Sequence, residues 1–206
     1  MAGIIPKAFA THLFQSLVPM IEADGFHGKP WDWKKLLDPA IFCINFQPRS
    51  DRKACCINLG VHFSFLPIAG ESQVAANIEA ITAVNCEIKK RLAPANEVDH
   101  WWVFSDPASI RDLAQCYATC ALPFFAGYSN FPRPFLDISP SDVSTDRANF
   151  IFPMMTKARR LLFLARVHNF LVNRELAVAF CEKGIETAGM ASLLRPTFQE
   201  ILKKNK

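Results

Sequence analysis

The stretch Ile41–Leu66 constrains this chain most. It reads as two β-strands, Ile41–Gln47 and Ala54–Leu66, joined by the polar turn Pro48–Lys53. Side chains alternate across a strand, so each strand has two faces. Phe42, Ile44 and Phe46, then Cys55, Ile57, Leu59, Val61, Phe63 and Phe65, form an apolar face fit for a core. The opposite face carries Cys43, Asn45 and Gln47, then Cys56, Asn58, Gly60, His62 and Ser64. That face is polar yet almost uncharged, unlike an ordinary solvent face. It is the leading candidate for function.

The rest of the chain supplies helices and further strands. Phe9, Leu13, Phe14, Leu17, Val18 and Ile21 recur at helical spacing, predicting a helix over Pro6–Ala23 that ends at Asp24-Gly25. Phe26–Pro39 reads as a connector whose Trp31 and Trp33 are packing anchors. Asn85–Arg91 alternates and predicts a third strand, and the aromatic His100–Phe104 a fourth. Asp106 and Pro107 suit the cap and first position of a helix running to about Leu122, with Pro123 opening a long aromatic loop. From about Phe150 the composition is helical, with breaks at Asn173 and Gly189. The expected fold is α+β: an N-terminal helix, an antiparallel sheet of about four strands, and C-terminal helices packed on it. We expect one domain over residues 1–206, with an α+β core at 1–141 and a helical extension at 150–206. Any boundary would lie near Asp142–Asn149.

Composition narrows the function classes. The net charge of +4 over 206 residues is mild, and the basic triplet Lys89-Lys90-Arg91 is too small a patch to put nucleic acid first. No apolar run reaches the roughly 18 residues of a membrane span, and the N-terminus is a poor signal peptide. The seven cysteines are odd in number, sit mostly in apolar runs and form no C-x-x-C pair. They read as reduced, buried thiols of a cytoplasmic protein. Neither a metal site nor a cofactor is expected: Cys116 and Cys120 are one turn apart but lack further ligands.

The order FCINFQPRSDRKACCINLGVHFSFLP, then CEIKKRL, then a Trp-rich strand and DPASIRDL, resembles a bacterial domain-of-unknown-function family, number four thousand three hundred and four. The resemblance covers roughly Phe9 to Phe125. It implies a helix plus an antiparallel sheet and brings no activity, cofactor or catalytic residue. By analogy with such families, it suggests a setting among toxin–immunity or defence genes.

The candidate binding residues are Asn45, Gln47, Asn58 and His62 on the polar face, joined by Glu87 and Arg91 if the third strand lies in the same sheet. Side-chain amides offer donors and acceptors without charge, suited to a peptide backbone or a small polar ligand. The first expectation is a non-enzymatic protein-binding module of immunity or adaptor type. A hydrolase-like enzyme pairing His62 with Cys56 or Cys43 is the second. A weak single-stranded nucleic-acid binder using Lys89–Arg91 beside Trp101 and Trp102 is the third.

Overall fold

Ile, Val and Phe dominate the central hairpin, and such side chains favour a pleated, half-buried surface. The computed structural model describes residues 15–29, 31–68, 74–75, 77–103, 105–190 and 192–205. The predicted hairpin forms strands β3 (Ala40–Pro48) and β4 (Ala54–Phe63), joined by the expected polar turn. There Asp51 accepts from the Arg49 guanidinium and from the Lys53 amide. The strand stops three residues short of Leu66, so Phe65 falls in a turn and is half-exposed.

The architecture is α+β, with an antiparallel sheet of six strands among the described residues. Strand β1 (His27–Lys29) and strand β2 (Asp32–Leu37) arise from the segment expected to be a connector. Trp33 of β2 is buried, as an anchor should be. Strand β5 (Ile88–Arg91) and strand β6 (Trp102–Val103) are the predicted third and fourth. The order runs β1-β2-β3-β4-β5, with β6 also pairing β4. The described part of the N-terminal helix is α1 (Val18–Ala23), and Gly25 beyond it has φ +83°. Gln15 and Ser16 are also helical, with a turn at Leu17, whereas residues 6–14 of that predicted helix, and Phe104, lie outside the described residues.

The chain divides into two compact units, Met1–Ser129 and Asn130–Lys206. In the first, helix α2 (Pro107–Cys116) starts as expected, with Asp106 accepting from the Ala108 amide. It does not end before Pro123. It widens into a π-helical turn over Tyr117–Ala121 and continues as α3 (Leu122–Ala126). Proline lacks an amide donor and its ring crowds the preceding turn, and a wider turn ahead of Pro123 accommodates both. Phe125 of α3 meets Phe26 and Phe42 at ring separations of 5.3 and 5.2 Å. The apolar face of the sheet is thereby built into a core.

In the second unit, the expected loop carries two short helices, α4 (Arg133–Leu136) and α5 (Pro140–Ser144). Three longer helices follow: α6 (Lys157–Phe170), α7 (Arg174–Ala188) and α8 (Arg195–Asn205). Asn173 caps α7, and Gly189, with φ +69°, lies just beyond its end. Phe135, Phe152 and Phe163 cluster at its centre, with centroids 5.2 to 6.1 Å apart. Gly184 lets α7 and α8 approach closely, since a Cβ there would run into the Phe198 ring.

Candidate functional site

Strand register fixes which side chains share the polar face. Asn45 pairs with Asn58, Gln47 with Cys56, Cys43 with Gly60 and Ile41 with His62. The neighbouring strands extend these rows. Asp32 stands opposite Asn45, and Arg91 opposite Asn58. Lys29, Asp32, Asn45, Asn58 and Arg91 thus form one row across five strands.

The row is hydrogen-bonded through its middle. The Asn45 side-chain amide donates to Asp32 Oδ1 at 2.9 Å, and the Asn58 amide donates to Asn45 Oδ1 and Gln47 Oε1, both at 3.1 Å. Arg91 donates to Asp99 Oδ1 at 3.0 Å and stacks over the Trp101 ring at 5.5 Å. Among the described residues, Gln47 Nε2 and Asn58 Oδ1 have no partner. Gln47 is exposed, while Asn45, Asn58 and Arg91 are half-exposed. This end of the face meets solvent, carrying a free donor beside a free acceptor.

The other end is sealed. Ile41 and Cys43 join Ile68, Ile81, Ala83 and Cys86 in a buried cluster, so the segment after β4 folds over these rows. His62, in the row of Ile41, is fully buried, and neither ring nitrogen has a hydrogen-bond partner among the described residues. Burial pushes its pKa down to about 4, with the nearby Leu66 backbone acting weakly the other way. Asn58 and His62 are four residues apart on β4, so His62 is separate from the amide cluster. Glu87 falls one residue before β5, half-buried and without an ion pair among the described residues. Of the six candidate residues, the structure brings together Asn45, Gln47, Asn58 and Arg91.

The sulfur groups are poorly set for nucleophilic work. Cys56 donates weakly to Gln47, at 3.7 Å to its backbone carbonyl and to Oε1, rather than to His62. Burial pushes the Cys55 and Cys56 thiols up, whereas a nucleophilic thiol needs the reverse. All seven cysteines are unpaired, and no group of three metal-binding side chains occurs among the described residues. The basic triplet does not converge either. Lys89 donates to the Val84 carbonyl, the exposed Lys90 lies on the opposite face, and Trp102 is buried.

One feature of this face escapes the sequence reading. Beside the row, β1 and β2 form the floor of a groove of about 830 Å3, with Ile78, Glu79 and Thr82 on its wall. Lys34 fixes the wall, donating to the Glu79 carbonyl at 2.8 Å and to its carboxylate at 3.1 Å. The alternation of His27 and Lys29, then Asp32, Lys34 and Leu36, is visible in the sequence once this segment is read as strand.

A family model described as Domain of unknown function (DUF4304) matches residues 17–119, half of the chain, from α1 through the whole sheet into the π-helical turn. The chain belongs to this family. The description assigns no activity. No curated protein and no solved structure matches the chain. No described helix is long and apolar enough to cross a membrane.

Proposed function

We propose that this protein is a bacterial, cytoplasmic, non-enzymatic protein-binding module of adaptor or immunity type. Its recognition surface is the open end of the polar sheet face. One observation carries the reading: Gln47 Nε2 and Asn58 Oδ1 stand free beside an amide row whose inner bonds are satisfied. A donor next to an acceptor matches a peptide group, and a row held by its own bonds needs little ordering on binding. Arg91, stacked on Trp101, adds the residue types enriched at binding hot spots. Seven unpaired cysteines support a reducing compartment.

A photoreactive amino acid at position 47 tests the surface in native cells. The expected result is a crosslinked protein whose capture falls at least tenfold when Asn58→Ala is added. If the probe captures nothing, and displayed random peptides enrich equally on wild type and on the Asn58→Ala, Gln47→Ala double variant, the surface does not bind protein.

A further inference from the structure

The groove over β1 and β2 belongs to the face proposed to bind protein, and its two ends differ chemically. At one end stands Lys29, opposite Asp32, with His27 one row further in, opposite Lys34; both are exposed and without a hydrogen bond or ion pair among the described residues. At the other stand Leu36, 61% exposed, and Ile78, 41% exposed. Asp32 accepts from Asn45 through Oδ1, and Glu79 accepts from Lys34. The polar side chains of the floor that make no bond are His27 and Lys29, both able to donate, and the exposed apolar surface lies at the end away from Lys29.

We infer that the groove takes a short extended segment of a partner protein, apolar at one end and acidic at the other. This rests on the protein-binding reading and names the partner's chemistry. Lys29 is paired with Asp32, and Leu36 lies four residues further along β2. At about 3.3 Å per residue the two ends are roughly 13 Å apart, the span of four residues of extended peptide. The volume of about 830 Å3 suits such a segment rather than a folded domain. Apolar side chains cover Leu36 and Ile78, and carboxylates meet Lys29 and His27. The three-residue edge strand β1 offers few main-chain groups, so side chains rather than strand addition carry recognition.

The probe is acetyl-Leu-Leu-Ser-Ser-Glu-Glu-amide, titrated into the full chain and followed by NMR. The control carries Lys-Lys in place of Glu-Glu. The expected result is shifts at His27, Lys29, Leu36 and Ile78, with at least fivefold tighter binding of the acidic peptide. Lys29→Glu should reverse that preference, and Leu36→Ser should weaken the acidic peptide severalfold. Both positions are exposed, so neither change threatens folding. Equal affinity for the two peptides overturns the inference, as does a preference that survives Lys29→Glu. Shifts confined to Gln47 and Asn58 also overturn it while leaving the protein-binding reading standing; absence of capture at position 47 together with equal peptide enrichment on wild type and the double variant is what removes the latter.

Discussion

Replacing Gly60 with alanine puts a methyl group where two other residues already stand. Its Cβ would lie 2.7 Å from Ala83 Cα, 2.7 Å from Cys86 Sγ and 3.0 Å from Cys86 Cβ. Ordinary contacts are about 3.5–4.0 Å, so the segment over the sheet must lift by close to an ångström. Ala83 contributes a backbone atom, which no rotamer change can clear. Overpacking of this kind costs about 1–3 kcal/mol, and two simultaneous clashes place Gly60→Ala near the upper end. The assay is urea unfolding followed by tryptophan fluorescence. Removing the sulfur should relieve one clash, so Gly60→Ala with Cys86→Ala should recover about 1 kcal/mol relative to the sum of the single changes. Lifting the cover should also speed the reaction of Cys43 and Cys86 with a thiol reagent under native conditions. A loss below about 0.5 kcal/mol, the range of an ordinary surface substitution, refutes the claim that this end of the face is sealed. Strict additivity with Cys86→Ala refutes the assigned clash.

Buried His62 should make stability fall with acid. Its pKa is about 4 folded, below its ordinary unfolded value. The unfolded chain therefore binds the extra proton first, and stability drops as pH falls from about 6.5 to about 4. The loss is about 3 kcal/mol at most, and His62→Leu should flatten the urea midpoint over that window. His168, also buried and lowered, retains its own share. Tyr117→Phe removes a 2.8 Å bond to Asp24 Oδ2 and should cost about 1.5–3 kcal/mol, read by urea unfolding. Gly184→Ala drives a Cβ into the Phe198 ring and should destabilise the helical unit by about 2–3 kcal/mol, read as faster amide exchange along α7 and α8. Asp99→Ala breaks a largely exposed ion pair and should cost under about 1 kcal/mol in the same urea assay.

The hairpin was legible because alternating aromatic and β-branched residues on both strands allow one pairing of faces, and the register agrees with it. Strands β1 and β2 were not, because Lys29, Lys34 and Lys35 interrupt the apolar pattern and Leu36 and Leu37 face outward. Lys35 lies on the apolar face, where its ammonium reaches the Asp24 carbonyl at 2.8 Å. The continuation through Pro123 defeats the rule that helices end before proline, because the π-helical turn is a local exception. The division of the polar face was the hardest to foresee. Asn45 and His62 look alike in an alternating pattern, and only the segment that returns over Gly60 separates a wet residue from a dry one.

The amide row has a consequence for how the face could change its chemistry. Asp32 can only accept, so it dictates which way Asn45 turns, and Asn45 in turn dictates Asn58. The sense of the whole array is written at its margin, by that carboxylate and by the Trp31 backbone carbonyl, which accepts from the same Asn45 amide at 3.4 Å. Asp32→Asn would leave the longer bond to the Trp31 carbonyl as the remaining fixed acceptor, loosening the hold on both amides and on the polarity shown at Asn58 without altering any residue there.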